Sequence, residues 1–356
     1  MSSNREALSL APEPEPLRIR SLAPGEEARW DAFVDACPEA TFFHRAGWKE
    51  VIDRAFGHPT YFLMAENGAA IEGVLPLARV RSRLFGDALI SLPFAVYGGI
   101  AATTPQAASA LDEAAQALAE ELGVGHLEYR QRKPMHPDWP TKGLYVTFRA
   151  KIAPDSQANM QAIPRKQRAM VRKGIQAGLC SEFDADNERF FRAYSESVHR
   201  LGTPVFARRY FDLLREVFGP SCDVLSVTHG DRLVASVLSF YFRDEVLPFY
   251  GGGTHLARAL AGNDFMYWQL MESARERGYR LFDFGRSKRD AGSYHFKKHW
   301  GFEPQPLHYE CRLVTATALP DNSPLNPKYR LFIALWQRLP LPAANALGPH
   351  IVRNLG

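Results

Sequence analysis

Five groups of residues have the types and spacing to do chemistry. His295 and His299 stand four apart in HFKKH and would share a helix face. Two lysines between them repel a cation, and no glutamate sits where a zinc hydrolase motif needs one, so no metal is expected. The pair then reads as surface or packing histidines, or one of them as a proton acceptor. Asp283 and Arg286 fall where a strand ends, the place where α/β clefts collect functional groups, with Ser287, Lys288 and Arg289 beside them as phosphate donors. The alternative for Asp283 and Arg286 is an internal salt bridge. Arg165, Arg168 and Arg172, with Lys166 and Lys173, form a cationic stripe on a helix that either grips phosphates or faces water. Gly251-Gly252-Gly253 lacks the Gly-Lys-Ser/Thr ending of a phosphate loop and reads as a bulge or a close backbone approach. Asn263 reads as the cap of a helix starting near Asp264, and Cys180 as a buried apolar filler.

Composition bounds what these groups can serve. The chain has 356 residues, 46% hydrophobic and 23% charged, which suits a folded protein of about two domains. Lys plus Arg total 43 against 39 Asp plus Glu, a net charge of +4, so any nucleic-acid contact comes from local clusters and no DNA partner is expected. The four cysteines form no C-x-x-C pair, which argues against zinc knuckles and disulfide frameworks and for a reducing compartment. No apolar run reaches 18 residues and the N-terminus has no apolar signal core, so the expectation is a cytoplasmic protein without a membrane span. Asp283-Phe284-Gly285 has neither an H-R-D loop nor a Gly-rich ATP loop to make it a kinase signature.

The elements that position these groups occur twice. Residues 1–16, ending in PEPEP, read as a flexible leader. From 17 to 150 the order is a strand, two helices, three antiparallel strands with an Asn67-Gly68 turn, an Ala-rich helix opened by Thr104 and Pro105, and a strand GHLEYRQ. After a basic linker helix at 151–180, the same order returns over 181–319. LPFAVYGG at 92–99 matches LPFYGGG at 247–253, each followed by a helix and an acidic-aromatic strand, LEYR or FDFG. Residues 320–356 form a tail whose Leu331, Phe332, Leu335 and Leu339 fall on one helical face, to pack on the second domain or lie on a membrane surface.

This order resembles the fold of the GCN-five-related N-acyltransferases (GNAT). The two fused copies resemble the FemAB family, peptidyl aminoacyltransferases that build peptidoglycan cross-bridges from aminoacyl-tRNA. PRKQRAMVRKGIQAGL at 164–179 resembles that family's basic helix, and GSYHFKKHWGFEPQPLHYE at 292–310 its Tyr-x-Phe-Lys segment. With FDFGRSKRD at 282–290 and WQRLPLPAANALGP at 336–349, the chain is similar to the FemAB-like subgroup found with exosortase and PEP-CTERM exopolysaccharide systems. The resemblance implies an α/β fold, a tandem pair of GNAT-type domains each with a mixed, largely antiparallel sheet. It implies an acyltransferase that moves an aminoacyl or acyl group to an amine of an envelope or exopolysaccharide precursor, with peripheral membrane contact.

By the same resemblance Lys297 and Phe296 are the catalytic pair, the lysine favouring the oxyanion or the leaving ribose oxygen and the ring shaping the donor site. Asp283, Arg286, Ser287, Lys288, Tyr250, Asn263 and His295 would contact substrate. Arg165, Arg168, Arg172 and Lys173 would contact tRNA or precursor phosphates. No bound cofactor is expected, the donor co-substrate being aminoacyl-tRNA. Acyl-CoA is the alternative donor, although Ala261 in ARALAGN stands at the first glycine that CoA-dependent relatives carry. A catalytically silent protein of this fold that binds glycan or RNA is the second alternative.

Overall fold

The computed structural model describes residues 17–82, 85–319 and 327–356, with side chains from 331 onward in the last stretch; the predicted leader lies outside them. Local chemistry sets most elements. Thr104 Oγ1 accepts from the Ala107 amide at 3.2 Å and Pro105 opens the helix Pro105–Glu121, satisfying a helix start that leaves backbone N–H groups free. Gly68, at a φ of +56°, turns the hairpin between Thr60–Asn67 and Ala70–Ser82. Gly230, at +55°, does the same between Cys222–His229 and Arg232–Phe242.

Two mixed sheets result. The first runs in the order Arg18–Ser21, Thr60–Asn67, Ala70–Ser82, Gly86–Ser91, His126–Gln131 and His308–Leu313. The second runs Ser287–Lys288, Tyr145–Lys151, Leu281–Asp283, Glu245–Gly253, Arg232–Phe242, Cys222–His229 and Cys180–Phe183. Each has one parallel pair, Gly86–Ser91 with His126–Gln131 and Glu245–Gly253 with Leu281–Asp283. In each pair the two strands are joined by a crossover helix, Pro105–Glu121 or Gly262–Glu276, as parallel pairing requires. Parallel pairing stops at Ser91/Tyr129 in the first sheet and at Val246/Phe282 in the second, beyond which the strands part.

The sheets also trade strands. Tyr145–Lys151, which precedes the basic helix, inserts into the second sheet beside Leu281–Asp283, and His308–Leu313 closes the edge of the first. A sequence boundary at 151–180 therefore does not separate the two sheets in space. The halves share one core as well. Phe42 stacks on Phe240 at 4.4 Å between centroids and Trp48 meets Phe218 at 5.2 Å. Gly47 lets the helix Gly47–Phe56 close on Arg208–Phe218, since a Cβ there would stand 2.7 Å from Val217 Cγ1. These rings bury large apolar areas and tie the repeats into one body.

Candidate functional site

The strand end at Asp283 and the helix Gly292–His299 build the site. Asp283 is fully buried and accepts from four donors: Tyr97 Oη at 2.9 Å, Thr147 Oγ1 at 3.2 Å, Arg149 Nε at 3.1 Å and the Gly285 amide at 2.8 Å. Arg149 also pairs with Glu245. One donor thus comes from the first repeat, two from the exchanged strand and one from the turn that follows. The salt bridge read from the sequence as Asp283 with Arg286 is made by Arg149 instead, because the exchanged strand brings that guanidinium alongside. Arg286 points to aromatic partners, its guanidinium 4.7 Å from the Tyr145 centroid and 5.6 Å from that of Tyr309, and donates to Tyr309 Oη at 3.2 Å.

Lys297 is 9% exposed, and its Nζ donates to the carbonyl oxygens of Gly285 at 3.0 Å and Arg286 at 3.1 Å. Burial pushes its pKa down to about 7, against the opposing pull of Asp283 and with a further push from Arg286. The chemistry follows from counting valences. As an ammonium, Nζ has one N–H left after serving the two carbonyls; as a neutral amine it has its lone pair left. With both forms populated near neutrality, one group can hold an oxyanion and take or return a proton.

The remaining predicted residues divide. Phe296 packs on Tyr267, Phe284 and Trp300 beside Lys297. Ser287 Oγ is buried with no hydrogen-bond partner among the described residues, and Lys288 Nζ lies 5.9 Å from the Tyr145 centroid. These gather around Lys297 and Arg286. Tyr250 belongs to the shared aromatic core, its hydroxyl 3.0 Å from that of Tyr210 and within reach of the Arg286 charge. His295 is exposed on the helix, its ring 6.5 Å from His299. Arg165, Arg172 and Lys173 are exposed on the helix Arg165–Gln176, whereas Arg168 is turned back onto the carbonyls of Gln161 and Ile163, which breaks the stripe.

Three other readings are corrected. Asn263 caps nothing: the helix Gly262–Glu276 starts two residues before Asp264, after Ala261 in the left-handed conformation at a φ of +56°. Cys180 is exposed rather than buried. The predicted leucine face of the tail is the outward one, with Leu331 and Leu335 exposed; Ile333, against Gly202, and the buried Trp336 make the contact, in the helix Pro327–Trp336. The third strand of the first repeat ends at Ser91, before Leu-Pro-Phe. The triple glycine is a close approach: a Cβ on Gly252 would stand 2.6 Å from Ala193 O in the helix Glu188–Arg200.

Comparison with known proteins places this geometry. Residues 159–298 match the acetyltransferase (GNAT) domain family. A FemX crystal structure superposes with a TM-score of 0.66 at 14% identity, over 89% of this chain and 100% of that one. A tandem GNAT protein from the clavulanic acid biosynthesis pathway gives 0.54 at 12%, over 85% and 100%. The chain has a tandem GNAT fold. The C-terminal domain of an assigned lysylphosphatidylglycerol synthetase from Agrobacterium fabrum shares that fold at 0.56 and 13%, over 82% and 92%. No curated protein matches the sequence.

The two GNAT repeats differ at their strand openings. In the first, Arg130 spans the opening, donating to Leu92 O at 3.2 Å and Ala95 O at 3.1 Å, while the Gly98 and Gly99 amides return to Arg130 O. In the second, Lys297 is held by the carbonyls of the turn after Asp283, over the rings of Phe148 and Phe284. No pattern of residues points to Asp264, in the first turn of the second repeat's crossover helix. It is buried and accepts from Trp300 Nε1 at 3.0 Å and from Gln167, and burial pushes its pKa up. A buried carboxyl group therefore stands in the first turn of the helix, close to where the dipole and free amides draw a ligand anion. Among the described residues His126, Glu128 and Cys311 also come together, with ligand atoms within 4.8 Å. Glu128 is already held by Arg130 at 2.7 Å and by Lys142, so the group is an ion-pair network rather than an open metal cradle.

Proposed function

We propose that this protein is an acyltransferase that moves an aminoacyl or acyl group onto an amine, with aminoacyl-tRNA as donor and an envelope or exopolysaccharide precursor as acceptor. The observation that carries this reading is Lys297: a nearly buried amine, held by the two carbonyls of the turn after Asp283, with a pKa near neutrality. The acceptor amine adds to the acyl carbon, forming the C–N bond and a tetrahedral oxyanion. The free N–H of the Lys297 ammonium holds that oxyanion. On collapse the C–O bond to the ribose breaks, the Lys297 ammonium gives its proton to the leaving oxygen, and the amine so formed takes the proton the nitrogen loses. No acyl-enzyme is needed.

Phe296 lines the donor side, Arg286 and Lys288 orient phosphate or carboxylate, and Asp283 fixes the turn that carries the two carbonyls. Exposed Arg165, Arg172 and Lys173 supply salt-sensitive contacts to tRNA phosphates. The Asp264 carboxyl argues against a CoA diphosphate at the crossover helix. The A. fabrum relative's association with lysylphosphatidylglycerol supports aminoacyl over acetyl transfer. Among the described residues no helix is long and apolar enough to cross a membrane, and the outward Leu331 and Leu335 suit contact with a membrane surface.

The test is thermal stability of the purified chain with charged tRNA at low salt and, separately, with acetyl-CoA. A ligand at about 100 times its Kd adds about 2.7 kcal/mol. Stabilisation by charged tRNA alone is expected; stabilisation by acetyl-CoA alone would replace the donor assignment.

A further inference from the structure

A cleft of about 510 Å³ lies beside the first sheet, between the end of Ala70–Ser82 and the C-terminal helix, and nothing in the acyl-transfer reading uses it. Three distant stretches build it: His58, just after the helix Gly47–Phe56; Arg79 and Arg81 at the end of Ala70–Ser82; and His350, Arg353 and Asn354 at the end of Leu341–Val352 and beyond. The C-terminal wall is tied down. His58 Nε2 donates to Arg353 O at 2.7 Å, the Arg353 guanidinium donates to Phe56 O, and Arg130 Nη2 reaches Gly356 O at 3.2 Å.

The charges in this cleft do not cancel. Asp87 takes a two-point ion pair from Arg79, at 2.9 and 2.6 Å. Arg81 stands 3.9 Å from that same carboxylate with its side chain 81% exposed, and Arg353 meets a backbone carbonyl rather than an acid. Three guanidinium groups thus line the cleft, two of them beside the Asp87 carboxylate and the third beside none among the described residues, with two histidines alongside. We infer that this cleft binds the phosphate or diphosphate group of a ligand. Forked guanidinium donors match phosphate oxygens, and the volume admits a phosphate together with part of what it esterifies. Leu347, one helical turn before His350, is exposed, as is Leu355, so the esterified portion is either a soluble group or a lipid whose headgroup enters the cleft.

The inference stands on the cleft alone, and its readout is binding, so failure of the acyl-transfer reading leaves it testable. Inorganic diphosphate is titrated into the full chain by calorimetry at low ionic strength, and sedimentation is followed with vesicles of phosphatidylglycerol or of phosphatidylcholine. Arg81→Ala removes an exposed side chain and keeps the fold; Arg232→Ala removes an exposed charge elsewhere. Saturable diphosphate binding, about tenfold weaker in Arg81→Ala and unchanged in Arg232→Ala, is expected. Binding to phosphatidylglycerol vesicles alone, with the same dependence on Arg81, supports the cleft with a lipid headgroup as its ligand. Binding of neither probe, or equal weakening by both substitutions, overturns the inference.

Discussion

Tyr97 of the first repeat donates its hydroxyl to Asp283 of the second, 2.9 Å across the junction between the sheets. Both groups are buried; Tyr97 lies within LPFAVYGG of the first repeat and Asp283 within FDFG of the second. Asp283 also holds the Gly285 amide, and Gly285 offers one of the two carbonyls that seat Lys297. The first repeat thus acts as a buttress for the lysine of the second.

Tyr97→Phe removes one of four donors to Asp283 while leaving the ring against Phe43, and should cost about 1–2 kcal/mol in urea unfolding. Asp283→Ala leaves Arg149 short of a partner and the Gly285 turn unheld, and should cost about 3 kcal/mol or more. Equal costs for the two would show that the carboxylate is not the hub of the network.

Lys297 gives stability a defined pH dependence. Its pKa falls from about 10.5 to about 7 on folding, so between those values the unfolded chain binds more protons and stability rises with pH. The burial cost is fully present below pH 7 and is relieved towards pH 10.5. In Lys297→Met this rise should vanish, so the advantage of the variant over the parent shrinks as pH climbs from 7 to 9.5. A difference in stability that is flat over this range would mean the amine is not buried as described.

The shared core predicts one unfolding transition, not two. Phe42→Ala should cost about 3–5 kcal/mol and lower the midpoint of both repeats together, read by near-UV and far-UV circular dichroism. Gly47→Val, which forces a side chain against Val217 and Phe218, should cost about 1–3 kcal/mol. Separate transitions after either substitution would contradict a common core.

Much of this was legible in the residues and some was not. Helix starts such as Thr104-Pro105, hairpin turns at Gly68 and Gly230, and the doubled element order are local signals, and the tandem GNAT fold follows from them. The strand exchange is not local: Tyr145–Lys151 pairs with Leu281–Asp283 across some 130 residues, and period-two patterning does not say which sheet a strand joins. For that reason no local pattern points to Arg149 or Thr147, and Arg286, three residues away, reads as the partner of Asp283. Lys297 and Phe296 stood out by a family motif, whereas the depressed pKa of Lys297 depends on burial that no sequence pattern records. Asp264 looked like an ordinary first-turn acid, and only its contacts with Trp300 and Gln167 reveal that it occupies the helix start.

Occupation of that helix start predicts weak use of CoA. Acetyl-CoA at millimolar concentration should leave the melting temperature unchanged, whereas a CoA-dependent enzyme would rise by several degrees.

The most direct test of the account is transfer itself. Labelled amino acid on tRNA is incubated with an envelope-precursor fraction, and label is followed into a base-stable amide, distinct from the base-labile ester on the donor. The account predicts that Lys297→Ala lowers turnover about 10²–10³-fold while charged-tRNA binding stays within about threefold. Turnover in Lys297→Ala equal to that of the parent, or transfer that proceeds only from acyl-CoA, would contradict it.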